Sequence, residues 1–427
     1  MQSRYQAIRG TYDILPDEAA LWQKIEETSR EVFGRFHFGE IRTPVFEATE
    51  LFTRSIGQAT DIVSKEMYTF ADKKGRSITL RPEATVCVVR ALIEHPETFQ
   101  NLPQKLYYIG PMFRYEKPQS GRNRQFHQIG VEALGSYQPG MDAEVIVLLL
   151  ALLEQLGLKG VKTEINSVGC PECRPAYAKA LKGFLTGIAS ALCEDCRERS
   201  EKNPLRVFDC KVPACIEKLQ GAPVLLDSIC GKCAEHFQKL RALLDASKVS
   251  YQINKRLVRG IDYYTKTTFE LRHSSLGAQD AIAAGGRYDG LVEELGGPPT
   301  GAVGFALGVE RFAMAMKSAG VAPAAQRIDA FVVSVGPEAY LANTVLCGDL
   351  RRQGFTVEID HEGKSVKAQM RQADKLRVRY ALIRGEDELK KGHVAVMHMA
   401  SGSDQVRPAG EIAQVLSGAE PAAQGRK

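Results

Sequence analysis

Between Tyr107 and Gly135 the chain reads YYIGPMFRYEKPQSGRNRQFHQIGVEALG, and no other stretch restricts the fold as strongly. Tyr107–Glu116 is rich in aromatic residues, which suit a pleated strand. Lys117–Arg124 carries the turn formers Pro118, Ser120, Gly121 and Asn123, and Gln125–Leu134 returns with strand-like alternation. The pattern predicts two antiparallel strands joined by a polar, basic loop. Side chains two positions apart on a strand share a face. Arg114 and Glu116 therefore share one with Phe126, Gln128, Gly130 and Glu132, while His127, Ile129 and Val131 turn to the other. The first face gathers a guanidinium, two carboxylates, an amide, an aromatic plate and a gap at Gly130. Arginine grips phosphate through paired hydrogen bonds, phenylalanine stacks on a base, and a carboxylate accepts an ammonium or imidazole N–H. The inventory points to a ligand site, against the plainer reading of a solvated, salt-bridged hairpin.

With 427 residues the chain is long enough for more than one domain. Its net charge of +5 permits an anionic partner, but a nonspecific DNA coat would be more basic. The N-terminal MQSRYQAIRG lacks the apolar core of a signal peptide. The longest apolar run, Val145–Leu153, falls well short of the ~20 residues that span a bilayer. These features predict a cytoplasmic protein. Eight of the ten cysteines crowd into Cys170–Cys233 as the pairs Cys170/Cys173, Cys193/Cys196, Cys210/Cys215 and Cys230/Cys233. In a reducing compartment such pairs favour metal or free thiols over disulfides. Two pairs complete one tetrahedral zinc site, so four pairs allow two. Buried free cysteines in an inserted helical module remain the other reading.

Taken in order, Asp17–Phe33 reads as an amphipathic helix, and FGEIRTPVFE after it as an extended edge segment holding Pro44. Arg76–Leu80 is strand-like and breaks at Arg81-Pro82-Glu83 before a helix over Thr85–Glu94. Glu83 at that turn suits an ammonium ligand, or merely the positive end of the helix. Asp142–Leu156 predicts a strongly apolar helix. LVRGIDYYTKTTFEL (257–271) and AIAAGGRYDGLV (281–292) are chemically dense, and GAVGFALGVERFAMAM (301–316) reads as a strand entering a helix with Arg311 in its first turn. The Ala/Pro segment Val321–Gln326 marks a domain boundary. Beyond it, strands at Ala330–Val335, Thr356–Ile359, Ala381–Ile383 and Val394–Met397 alternate with helices at Glu338–Gln353 and Ser365–Lys375. The domains expected are a catalytic one over 1–325 with an insertion at about 170–250, an α/β one over 326–420, and a disordered tail at 421–427.

Phosphate-loop, GxGxxG and HExxH signatures are all missing. What is present resembles the class II aminoacyl-tRNA synthetases, and within them the histidyl-tRNA synthetase family. The segment ending at Pro44 is similar to the dimer-forming first motif, FRYEKPQSGRNRQFHQIGVE to the second and GAVGFALGVERF to the third. LVRGIDYY and AAGGRYDGL resemble the two histidine-specific signatures. The resemblance implies an α+β catalytic domain with a mainly antiparallel sheet flanked by helices, a helical Cys-rich insertion, and a C-terminal α/β anticodon-binding domain. It implies a homodimeric ligase that activates L-histidine with ATP and Mg²⁺ and transfers it to the 3′ end of tRNA(His). By the same resemblance Arg114 and Arg259 serve catalysis. Arg114 and Arg311 meet ATP phosphates, Arg122 holds the far phosphates or the tRNA acceptor end, and Glu116 lies near the adenine with Phe126 stacked on it opposite Arg311. Glu83, Thr85 and Gln128 take the amino end of histidine, Glu132, Tyr263, Tyr264 and Tyr288 surround its imidazole, and Ala84, Arg114 and Arg259 also belong to the histidine site. Arg351, Arg352, Lys364, Lys367, Arg371, Lys375 and Arg377 are candidates for tRNA phosphates. The competing expectation is a catalytically silent histidine sensor, the regulatory-subunit type of ATP phosphoribosyltransferase, which has this catalytic fold with eroded ATP motifs and no anticodon domain.

Overall fold

The structure is a computed structural model that describes residues 5–57, 60–97, 100–101, 103–321 and 328–418, with only the backbone described at 278–279. Its residues divide into two compact units, Met1–Pro323 and Ala324–Lys427. The predicted linker, apart from Val321, and the predicted tail lie outside the described residues.

The first unit contains strands β1 (Gly39–Glu40), β2 (Phe46–Ala48), β3 (Tyr68–Ala71), β4 (Ser77–Leu80), β5 (Gln104–Phe113), β6 (Gln125–Leu134), β7 (Lys162–Ser167), β8 (Gln252–Ile253), β9 (Thr265–Arg272), β10 (Ala281–Arg287) and β11 (Ala302–Gly308). Eight of them form one sheet in the order β1-β5-β6-β11-β10-β9-β7-β8, and β2-β4-β3 form a small second sheet. Neighbours from β5 through to β7 are antiparallel, and only the short edge strands β1 and β8 pair parallel. The sheet is thus mainly antiparallel, as expected.

One face of the sheet is covered by helices, Gly231–Ala246 and Val309–Ser318 among them. Pro16–Arg35 buries Leu21, Trp22, Ile25, Val32 and Phe33, and Pro139–Gln155 is apolar nearly all round. Their apolar side chains share one core with Ile129 and Val131 of β6 and with Phe269 and Phe305, and His127 is edge-on to Trp22 at 4.9 Å. This is the face assigned to His127, Ile129 and Val131 by alternation. The helix Thr85–Glu94 covers part of the opposite face with Val86, Val88 and Val89 and leaves the remainder open as a cleft.

β5 starts at Gln104 and ends at Phe113, three residues short of the predicted end at Glu116. The Arg114 N–H still bonds Arg124 O across the hairpin at 2.9 Å, but the Tyr115 N–H turns to Glu66 O at 2.7 Å. That bond pulls the chain toward the helical segment Ile62–Glu66, a tertiary contact that alternation does not register. The Cys-rich insertion is helical, with helices at Arg174–Gly187, Glu194–Lys202, Pro213–Lys218 and Gly231–Ala246.

The second unit has a five-stranded sheet ordered Val357–Ile359, Ala330–Ser334, Tyr380–Arg384, His393–His398, Asp404–Pro408. The first three strands are parallel and the last two join antiparallel. Helices Pro337–Arg352 and Val366–Lys375 supply the crossovers. The exposed edge strand Asp404–Pro408 and the short helices Glu386–Lys390 and Ile412–Ser417 carry no strong apolar period and were not expected.

Candidate active site

The open face of the large sheet forms a cleft of about 390 Å³. Its inner end is acidic and walled by tyrosines. Glu83 sits where β4 breaks before the helix Thr85–Glu94 and accepts the N–H groups of Thr85 and Val86, each at 2.9 Å. The helix-terminus reading of Glu83 therefore holds, and the same carboxyl also lines the cleft. Glu132, on β6, accepts the Thr85 hydroxyl at 2.7 Å and the Tyr288 phenol. Tyr263 reaches Glu83 at 3.5 Å and packs its ring 4.9 Å from Tyr264 and 5.5 Å from Tyr288. Glu132 is 1% exposed and no cation offsets its burial, so its pKa is pushed up to about 8 despite two donated hydrogen bonds. Burial likewise raises Glu83, against the bonds from Val86 and Thr85.

Two glycines make this packing possible. A Cβ on Gly304, paired opposite Glu132 in the sheet, would lie 2.0 Å from Glu132 Oε2. A Cβ on Gly130 would meet the Tyr108 ring at 2.4 Å, so the gap read at that position is filled by a neighbouring tyrosine. Between the acidic end and the outer end lies Gln128, whose Oε1 is buried with no hydrogen-bond partner. A buried acceptor without a donor marks a place where a ligand N–H belongs.

The outer end is cationic. Arg114 donates to Pro82 O at 2.9 Å and lies over the Phe126 ring at 5.2 Å. Glu116 stands 3.9 Å from Arg114 and accepts from Arg122 at 3.1 Å. Arg311, in the first turn of the helix Val309–Ser318, lines the cleft instead of facing solvent. Burial and the facing Arg122 guanidinium both lower its pKa, the condition that an incoming anion relieves. Arg259 donates to Glu270 at 2.6 Å, and Glu270 is shared with Arg272 at 2.6 Å. The Arg259 Nε–H has no partner. Phe126 thus carries Arg114 on its ring.

All the expected site residues except Ala84 line this one cleft, and Ala84 is buried between Glu83 and Thr85. Sequence reading passed over Tyr108, Glu270, Arg272 and Glu310. Glu270 and Arg272 alternate on β9, a charged period of two that signals a polar strand face. Glu310 accepts the His127 N–H at 2.9 and 3.0 Å and its ring Nδ1 at 3.1 Å, locking the third-motif helix onto β6. The AAGGRYDGL segment has a further anchor. Arg287, fully buried, binds Asp142 and donates to Asp289 at 2.8 Å and Ser136 O at 2.7 Å.

The histidyl-tRNA synthetase family model matches residues 10–172 and 213–312, and an anticodon-binding domain model matches 329–418. The chain belongs to the histidyl-tRNA synthetase family. It is 52% identical over 398 residues to the histidine–tRNA ligase of Trichlorobacter lovleyi, covering 93% of this chain and 94% of that one. With the histidine–tRNA ligase of Desulfitobacterium hafniense it is 51% identical over 412 residues, 96% and 97% of the two chains. The apo S. aureus histidyl-tRNA synthetase structure superposes with a TM-score of 0.82 at 35% identity, covering 96% and 99%. A Bacillus halodurans protein described as an ATP phosphoribosyltransferase regulatory subunit/histidyl-tRNA synthetase shares the fold at a TM-score of 0.66 and 22% identity, over 90% and 99% of the two chains. The family match passes over residues 173–212, the heart of the cysteine-rich insertion. There, the sulfurs of Cys170, Cys173, Cys230 and Cys233 lie within 4.8 Å of one another, as do those of Cys193, Cys196, Cys210 and Cys215, so each quartet could hold a metal ion. Among the described residues no helix is long and apolar enough to cross a membrane.

Proposed function

We propose that the cleft activates L-histidine with ATP and transfers it to tRNA(His). One observation carries the reading: a single cleft joins a carboxylate-and-tyrosine end to an arginine end, with the unpartnered Gln128 Oε1 between them. The histidine imidazole sits at Glu132 among Tyr263, Tyr264 and Tyr288, and its ammonium group meets Glu83, Thr85 and Gln128. ATP lies on Phe126, with its phosphates at Arg114, Arg122, Arg259 and Arg311. Magnesium enters with ATP as part of the substrate and adds positive charge at the phosphates.

The histidine carboxylate attacks the α-phosphorus, giving histidyl-adenylate and pyrophosphate, and the terminal ribose hydroxyl of tRNA then attacks the acyl carbon. Because an anion attacks an anion in the first step, fixed positive charge is the major contribution. Glu270 holds Arg259, and Pro82 O holds Arg114, so little reorganisation is needed when charge develops. Binding alone suffices for specificity: imidazole offers polar groups whose loss leaves buried partners unpaired, a penalty of roughly 10⁴ or more.

The C-terminal unit is the second tRNA contact. Lys367, Arg371 and Lys375 fall four residues apart on the helix Val366–Lys375 and are exposed, forming one basic stripe. Arg351 folds back onto Val357 O at 2.7 Å, and Arg352 and Lys364 face Asp349 and Asp360, so these three are the weaker candidates. The exposed apolar side chains Val45, Phe46 and Phe70 on the small sheet support packing of a second copy beside Pro44.

The test is ATP–pyrophosphate exchange run against all amino acids. Exchange with histidine alone is expected, reduced by about 10²–10³ in Arg259→Ala. Tight histidine binding without exchange would instead make the chain a histidine sensor.

A further inference from the structure

The segment Leu257–Tyr264 carries Arg259, Tyr263 and Tyr264 yet belongs to no helix or strand. A loop without a ladder needs other parts of the fold to hold it. The cysteine-rich insertion supplies them. The Arg174 guanidinium, one residue after Cys173, donates to Tyr264 O. Gly169 O, one residue before Cys170, accepts the Lys266 N–H at 2.6 Å, and Lys266 O accepts the Val168 N–H at 2.7 Å. Farther along the insertion, Asn203 donates to Asp262 Oδ1 at 2.9 Å and Arg206 to Gly260 O at 3.2 Å. Each group of contacts lies beside, or between the members of, one cysteine quartet.

The quartets have the geometry of metal sites. Four thiolates about a zinc ion at ~2.3 Å stand on tetrahedron edges of about 3.8 Å. Cys170 and Cys173 are 3.6 Å apart, Cys170 and Cys230 3.9 Å, Cys173 and Cys233 3.8 Å, and Cys193 and Cys210 3.9 Å. These separations are far beyond the ~2.05 Å of a disulfide. Backbone N–H groups point at the sulfurs, Cys230 N to Cys173 Sγ at 3.1 Å and Cys193 N to Cys215 Sγ at 3.0 Å, as suits thiolates bearing negative charge. The insertion's two middle helices are short, with nine and six residues, and five of the eight cysteines sit buried among a few leucines and valines. So small an apolar core needs cross-links.

We propose that the two quartets are structural zinc sites that brace the Leu257–Tyr264 segment for histidine activation, the bracing half resting on the reading of the cleft given above. The first ion ties Gly169 and Arg174 together beneath Tyr264. The second holds the turn carrying Asn203 and Arg206 against Gly260 and Asp262.

The test begins with elemental analysis of the full-length chain purified under reducing conditions without chelator. Two zinc ions per chain are expected, and one in a Cys193→Ser/Cys196→Ser variant. Absence of zinc, with none taken up when zinc is supplied to the reduced protein, overturns the metal sites, and iron in its place overturns the ion assigned. Arg174→Ala and Asn203→Ala keep every cysteine and stay informative where cysteine variants fail to fold. Both are expected to retain two zinc ions and to raise the KM for histidine by roughly tenfold, the worth of one hydrogen bond from or to a charged group. Two zinc ions with an unchanged KM overturn the bracing. Calorimetric histidine affinity is measured beside KM, and zinc content without substrate, so a failure of the ligase reading stays separable.

Discussion

Glu132 offers the sharpest test of the site's electrostatics. Its carboxyl is 1% exposed, accepts Thr85 and Tyr288 hydroxyls, and is pushed up to about 8 from an ordinary 4.5 by burial. A carboxyl with a raised folded pKa costs nothing while both states are protonated, below the unfolded value. Its penalty grows as pH rises past that value and levels off above the folded pKa. Between pH 5.5 and 7.5 the free enzyme should therefore lose about 2–3 kcal/mol through this one group. Glu132→Gln removes the ionisation while keeping an oxygen for Thr85 and offering N–H to the Tyr288 oxygen. The thermal midpoint of the variant should exceed that of wild type near pH 8, and the lead should shrink steadily toward pH 5.5. The same variant should bind histidine poorly, because an amide cannot neutralise an imidazolium. Other buried acids titrate as well, and the difference between the two proteins removes them. A midpoint difference flat across this range would refute the reasoning, since Glu132 would then ionise in its ordinary range.

Gly304→Ala places a Cβ 2.0 Å from Glu132 Oε2 and 2.3 Å from Val131 O, so a loss of roughly 1–3 kcal/mol and a raised KM for histidine are expected. Unchanged melting and kinetics would show that Glu132 is not seated against β11. Arg287→Met strands the buried Asp142 carboxylate, which burial pushes up and Arg287 and His236 together hold low. Denaturant titration should find it about 3–5 kcal/mol less stable, with Asp142→Leu/Arg287→Met recovering much of the loss. A cost under about 1 kcal/mol would mean that the pair is not buried in solution. Replacing Lys367, Arg371 and Lys375 with alanine should weaken tRNA binding and cut its log–log salt slope by about 2–3, with ATP–pyrophosphate exchange unaffected. An unaltered slope would move the tRNA contact to another face.

The hairpin that carries the site was legible because alternation is a geometric rule: opposite faces of β6 go to opposite fates, and Ile129 and Val131 could only be core once Gln128 and Glu132 were not. The helix Thr85–Glu94 was legible for a similar reason, since Pro82 breaks β4 and an apolar run follows. What escaped depends on neighbours distant in sequence. Glu310 reads as an ordinary helix carboxylate until His127, 183 positions away, donates to it. The cysteine pairs announced a metal-binding composition, but which pairs meet is a property of the folded insertion. The outer pairs Cys170/Cys173 and Cys230/Cys233 join across 60 residues and enclose the inner four.

The two ends of the cleft also differ in how they tolerate being empty. At the outer end four arginines are already held by two carboxylates: Glu116 lies between Arg114 and Arg122, and Glu270 between Arg259 and Arg272. Phosphates arriving there meet guanidinium groups held in position by carboxylates, so orientation precedes binding. At the inner end Glu132 has no arginine to match it and Arg114 offsets the burial of Glu83 only in part, so burial drives both toward the neutral acid. Such an arrangement is poorly stabilised by itself and well stabilised by a ligand bringing an ammonium group and a protonatable ring. On the proposed reading the amino acid supplies the cations that the fold withholds, while ATP supplies the anions that its arginines await. That reading puts discrimination and catalysis at separate ends of one sheet face, joined at Gln128.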